Sequence, residues 1–192
     1  TAAYGSATTS QSLGSGTSVV SLGGGAITGL TCGTTYHFRV VATNAGGTTN
    51  GLDATFTTAT CPPTATTGAA SSITLTGATL NGTVNPNGNS TTASFEYGTT
   101  VSYGNTTTSQ SLGSGTSAVS LSGAGITGLT CGTTYHFRVV ATNVGGTTNG
   151  LDATFATTAC PPNVSTGVAS SITLTGATLN GTVNPNGAST TA

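Results

Sequence analysis

The chain has 192 residues, of which only five carry a formal charge: Arg39, Asp53, Glu96, Arg138 and Asp152. Its net charge of −1 excludes the clustered basic face of a nucleic-acid binder and a polybasic membrane-surface segment. No run of 18 apolar residues occurs, so no membrane-spanning segment is expected, and so thin a set of titratable groups argues against an enzyme.

The uncharged remainder is rich in strand formers. Threonine accounts for 47 residues and serine for 21, with 30 glycines and no Lys, Met or Trp. Disordered chains combine low hydrophobicity with high net charge and few β-branched residues, which is the opposite of this balance. Thr, Val and Ile carry branched Cβ atoms that suit a pleated surface, so the composition predicts an all-β chain.

One internal repeat dominates. Residues 1–93 align with 100–192 at a constant offset of 99, without a gap and with 76 of 93 positions identical. A unit of that size is one small sandwich domain, far longer than a solenoid repeat. Cys61-Pro62-Pro63 and Cys160-Pro161-Pro162 mark the joints, because Pro-Pro ends a strand and stiffens the backbone. The expected division is a back part of one domain at 1–62, a complete domain at 63–161 and the front part of a third at 162–192. Half-domains leave open strand edges, so the chain is expected to be a window on a longer tandem array.

Within the complete unit, Ala78–Val84 alternates strictly, with Ala78, Leu80 and Val84 on one face. Asn85-Pro86-Asn87-Gly88 then reads as a turn with Pro at its second position. Ala93–Tyr97 is the next strand, with Phe95 and Tyr97 inward, followed by a looser segment from Val101 to Gly115. Val119-Ser120-Leu121 is a strand with Val119 and Leu121 inward, and Tyr135–Ala141 is the clearest strand, with Tyr135, Phe137, Val139 and Ala141 inward. Gly145-Gly146 turns the chain and Leu151–Phe155 closes the unit. The expected fold is a tandem of two-sheet Greek-key β-sandwich domains.

The run Gly128–Asn143, repeated as Gly29–Asn44, resembles the corner between strands E and F, and strand F itself, of fibronectin type III domains. Phe95-Glu96-Tyr97-Gly98 resembles their strand C, and Ala78–Gly88 resembles strand B in tandem bacterial extracellular modules. The resemblance covers the whole repeat. It implies that Tyr135 and Tyr36 are corner tyrosines whose hydroxyls bond back to nearby backbone. Two departures stand out: Cys131 and Cys32 occupy a position usually held by Pro, and the loop Asn143–Asn149 carries no Arg-Gly-Asp.

The four cysteines fall at two positions per unit, 29 residues apart, with no Cys-x-x-Cys and no His at metal-finger spacing. In the resembled fold the E–F corner and the end of strand G share one end of the sandwich, which implies structural disulfides Cys32–Cys61 and Cys131–Cys160. Free buried thiols and bridges between units remain open at this stage. Disulfides would imply an oxidising compartment, hence an extracellular or cell-surface protein, with bacterial modules as the models.

The same fold puts strands C, F and G side by side, so Glu96, His136, Arg138 and Asp152 should share one outward face. This is either a small polar site or, as expected, a solvated cross-strand cluster of little energetic weight. Tyr103 and Tyr4 are the expected exposed aromatics. No catalytic, cofactor-binding or metal-binding residue is expected. Asn81, Asn89, Asn105, Asn163 and Asn180 begin Asn-x-Ser/Thr triplets, which arise by chance in so hydroxyl-rich a chain. O-linked glycans on outward Thr and Ser, such as Thr106–Ser109, fit a surface that lacks the usual charge protection against association.

Two functions fit. The favoured expectation is a structural repeat of an extracellular filament or long surface stalk, without catalysis, whose partners are copies of itself; whether strands are exchanged between subunits is left open by the sequence. The alternative is an adhesin, or a spacer array in a secreted carbohydrate-active enzyme.

Overall fold

The computed structural model describes residues 4–192. The fold is all-β, with fifteen strands and no helix among the described residues. Two compact units divide the chain between Cys61 and Pro62.

The first unit holds four short strands, β1 (Thr35–Phe38), β2 (Val41–Asn44), β3 (Gly47–Asn50) and β4 (Ala54–Thr57). They pair antiparallel as β1 with β4 and β2 with β3.

The second unit contains a two-sheet sandwich. One sheet is three-stranded, with β6 (Gly77–Asn85) between β5 (Thr64–Thr67) and β10 (Val119–Thr127). In the other, β7 (Thr91–Gly98) pairs with β11 (Thr134–Asn143) at its centre. Two short strands, β8 (Asn105–Thr106) and β9 (Gln110–Gly113), share the outer edge of β7. Likewise β12 (Gly146–Asn149) and β13 (Ala153–Ala156) share the outer edge of β11. The unit ends with a separate hairpin of β14 (Asn163–Thr166) and β15 (Gly181–Asn184).

Strict alternation along β6, β7 and β11 sends every second side chain between the sheets. Leu80, Val84, Phe95, Leu121, Phe137 and Val139 are essentially fully buried there. The rings chain together, Phe95 to Phe137 at 6.3 Å, Phe137 to Phe155 at 5.8 Å and Phe155 to Tyr135 at 5.6 Å between centroids, spacings at which aromatic pairs attract beyond their buried area. The sheets approach closely at Gly82, where a Cβ would come within 2.4 Å of Val139 Cγ2.

The closing strand is interrupted between β12 and β13. At the gap Val139 N–H donates to Thr67 Oγ1 of the opposite sheet at 3.1 Å, replacing a ladder bond that the interruption removes. Gly150 is required there, since a Cβ would lie 2.4 Å from Thr67 Oγ1. The expected strand Leu151–Phe155 is therefore β13, beginning at Ala153, and Leu151 lies in the exposed gap. Two further expectations are corrected. Val119 stands opposite buried Val84, but at the rim of the sheet, and is exposed. The looser segment 101–115 contains β8 and β9.

The Asn85–Gly88 turn is fixed by its own side chains. Asn85 Oδ1 accepts from Asn87 N–H at 3.0 Å, and Asn87 takes a positive φ of 53°, a conformation that Asn tolerates.

Candidate functional site

The outward face of β7, β11 and the β13 edge gathers the charged residues of the unit. Arg138 on β11 stands directly opposite Glu96 on β7, and its Nε and Nη2 both lie 2.9 Å from Glu96 Oε2. His136, two residues earlier on the same face, holds Asp152 Oδ2 through Nδ1 at 2.8 Å. The structure thus brings together all four residues expected on this face.

It adds Tyr103. The phenol donates to Asp152 Oδ1 at 3.0 Å, and the Arg138 guanidinium carbon lies 4.7 Å from the Tyr103 ring centroid, a cation–π distance. Tyr103 reaches this place from the turn between β7 and β8, where it takes φ 57°. Its main chain crosses directly over Gly98, so closely that a Cβ on Gly98 would coincide with the Tyr103 carbonyl. Gly98 in turn pairs with His136. Sequence reasoning left Tyr103 and its equivalent Tyr4 as exposed aromatics; both are half-buried. The hydrogen bond spans 49 residues, and only the recurrence of the Tyr at the same offset hinted at a role.

The first unit repeats the arrangement. Tyr4 donates to Asp53 Oδ1 at 2.6 Å, His37 Nδ1 lies 2.7 Å from Asp53 Oδ2, and Arg39 covers the Tyr4 ring at 4.4 Å. The electrostatics follow from these contacts. The hydrogen bonds from Tyr4 and then His37 hold the Asp53 carboxyl below the usual carboxylate range. The bond to Asp53 raises the Tyr4 phenol. For Tyr103, burial raises the phenol first, and the hydrogen bond to Asp152 adds to it.

Chemically, this cluster satisfies itself. Both Asp152 oxygens are taken, and Arg138 is spent on Glu96 and the Tyr103 ring. The contacts latch the turn after β7 onto the sheet. Among the described residues no group of three or more His, Cys, Asp or Glu stands within reach of a common metal ion. A groove of about 320 Å³ on the other sheet is lined by Thr66, Asn81, Gly82, Thr83 and Ser120 among others, without a titratable side chain.

A second set of contacts, shared by the two repeats, lies at the turns before β1 and β11. Disulfides join Cys32 to Cys61 and Cys131 to Cys160, with Cα atoms 5.2 and 5.0 Å apart. Thr130 N–H donates to Tyr135 Oη at 3.0 Å, and Thr31 N–H to Tyr36 Oη at 2.9 Å. Thr157, which the sequence did not single out, is buried; its hydroxyl donates to Thr130 O at 2.7 Å and accepts from Thr133 N–H at 2.9 Å. Thr58 does the same in the first unit. Disulfides of this kind belong to an oxidising, extracellular or secreted setting.

Beyond these turns, the Cys-Pro-Pro segments are held as well. Asn186 Nδ2 donates to Pro161 O at 2.5 Å, one residue after the disulfide-bonded Cys160. The same bond forms between Asn87 Nδ2 and Pro62 O at 2.7 Å. Asn143 Nδ2 donates to Pro86 O at 3.1 Å, bringing the turn after β11 against the turn after β6.

No protein-family model and no curated protein matches the chain. Among solved structures, the chain is similar to the sensor domain of the anti-sigma factor RsgI4 of Pseudobacteroides cellulosolvens. One structure of it is 28% identical, covers 52% of this chain and 98% of that one, and has a TM-score of 0.41. A solution structure of the same domain is 26% identical over 50% and 74% of the two chains, with a TM-score of 0.40. The first three fibronectin domains of chicken CNTN1 are 21% identical over 73% of this chain and 50% of that one, with a TM-score of 0.31. All three TM-scores lie below 0.5, and the sandwich stands on the pairing of its own strands.

Proposed function

We propose that the chain is a structural repeat of an extracellular filament or long surface stalk, built from near-identical, disulfide-clamped sandwich domains of fibronectin type III kind, without catalysis. The observation that carries this reading is the joint at Cys160–Pro161. The disulfide anchors Cys160 to the domain before, and Asn186 anchors the Pro161 carbonyl to the turn that follows. Pro161 and Pro162 have fixed φ, so no freely rotating linker separates the two anchors. A joint of this form transmits force and orientation from one repeat to the next, which a filament needs and a flexible spacer does not.

The self-satisfied polar cluster fits the same reading, because it braces a turn and leaves no converging polar groups for a substrate. The partners are further copies of the chain and O-linked glycans on the outward Thr and Ser. Asn81 and Asn180 spend their side-chain amides on backbone carbonyls and on Ser71 and Ser170, which counts against sugar at those two triplets. The source is a bacterial surface or secreted protein, as the modular resemblance implies.

Electron microscopy of native material tests this. Uniform filaments with an axial repeat of about 30–40 Å per domain, from strand length plus loops, are the expected result. Isolated flexible strings, or globular particles with a short tail, would instead establish the spacer reading.

A further inference from the structure

We propose that Asn87–Gly88, in the turn after β6, is a site of covalent self-modification: Asn87 loses its side-chain amide as ammonia, and the product lets go of the Cys-Pro-Pro segment. The proposal needs only the folded domain and stands apart from the filament reading.

An asparagine followed by glycine is chemically labile. The glycine nitrogen, unhindered by a Cβ, attacks the asparagine Cγ and closes a five-membered imide. The bond from Cγ to the amide nitrogen breaks, and that nitrogen leaves as ammonia with the proton of the glycine N–H. Water then opens the imide at either carbonyl. The products are aspartate and isoaspartate, and in the second the main chain runs through Cβ and is longer. Attack needs a free glycine N–H and a backbone able to rotate, so the fold decides which step reacts.

Between residues 63 and 161 the pair occurs three times, at Asn81-Gly82, Asn87-Gly88 and Asn149-Gly150. Gly82 is buried within β6, opposite Leu121 on one side and Thr67 on the other. Gly150 is buried as well, its N–H on Val139 O at 2.9 Å, with Thr67 leaving no room beside it. Both steps are freed only by opening the sandwich. Gly88 is exposed, and a Cβ built on it would meet only Thr116 Cγ2, at 4.0 Å. Its N–H is held by Gly115 O at 3.0 Å, in the loop between β9 and β10. Exposed turns open at a small fraction of the free energy that core strands require, so this step reacts while the domain is still folded.

The leaving nitrogen is Asn87 Nδ2, the atom that donates to Pro62 O at 2.7 Å. A carboxylate in its place has no proton to donate and turns an oxygen toward that carbonyl. The bond that holds Pro62 therefore ends with the reaction, and a negative charge is added to a chain of net charge −1.

The test ages the 192-residue protein in mildly alkaline buffer with its disulfides intact and maps deamidated peptides by mass spectrometry. Asn87 is expected to react at least about tenfold faster than Asn81 and Asn149. Asn85→Ala removes the amide that donates to Thr116 O and the carbonyl that accepts from Asn87 N–H; by loosening the turn it should speed the reaction at Asn87 and not at Asn149. Asn87→Asp reproduces one product. It should keep the strand content by circular dichroism and raise amide hydrogen exchange at Thr64 and Ala65, beside the lost bond, by about fivefold. Equal rates at the three steps, an unchanged rate at Asn87 in Asn85→Ala, or unchanged exchange in Asn87→Asp would each overturn the proposal.

Discussion

At the scale of single residues, Tyr103 is informative because its environment acts on only one of its two protonation states. Burial and the hydrogen bond to Asp152 both favour the neutral phenol, raising its ionisation above the ordinary value of 10.0. The phenol's contribution to stability is therefore complete below pH 10 and disappears as pH rises through the raised folded value. Absorbance at 295 nm, taken as the difference between the wild-type protein and Tyr103→Phe, isolates this group from the other four tyrosines. The expected midpoint lies above 10, and Asp152→Ala should lower it, though not all the way, because burial remains. A midpoint at or below 10 in the wild type would refute the latch. Asp53 runs in the opposite sense, its lowered carboxyl adding stability that is lost only as pH falls below the usual carboxylate range.

At the scale of elements, glycines decide where strands may cross. Gly98 ends β7 on an ordinary backbone, and it is glycine because the chain returns over it at Tyr103. Gly98→Ala must push the turn off the sheet, with an expected cost of about 1–3 kcal/mol and a return of the Tyr103 ionisation toward its ordinary value. Gly115 meets nothing within 4 Å of a built Cβ, so Gly115→Ala should change stability by less than about 0.5 kcal/mol. Urea denaturation of the two variants separates a steric requirement from a general effect of removing glycine. The same logic explains the interruption between β12 and β13: Gly150 admits Thr67 from the other sheet, and the bond to Val139 links the layers at the gap.

At the scale of the molecule, the two repeats share one stabilising device, the disulfide. Each disulfide closes a loop of 29 residues, which limits the unfolded chain and ties the turn before β1 or β11 to the Cys-Pro-Pro segment. Replacing Cys131 and Cys160 together by Ser should cost the complete domain about 2–4 kcal/mol, read as a shift of its denaturation midpoint. Reduction should also speed proteolysis near Pro161. An unchanged midpoint would mean that Tyr135 and Thr157 hold the corner without the bridge.

The residues themselves determined the all-β class, the repeat and the inward residues of β6, β7 and β11, because alternation and a constant offset are local patterns that need no knowledge of contacts; the outward cluster needed in addition the strand order of the resembled fold. The strand interruption at Gly150, the rim position of Val119, the latch made by Tyr103 and the corner bond of Thr157 were decided only in the tertiary structure. In each of those cases the deciding partner lies far along the chain, as with Asp152 for Tyr103 or Thr67 for Val139, and a hydroxyl that bonds a distant carbonyl looks the same in sequence as the many that face water. With 68 Ser and Thr hydroxyls to choose from, only the folded geometry distinguishes the few that hold the domain together.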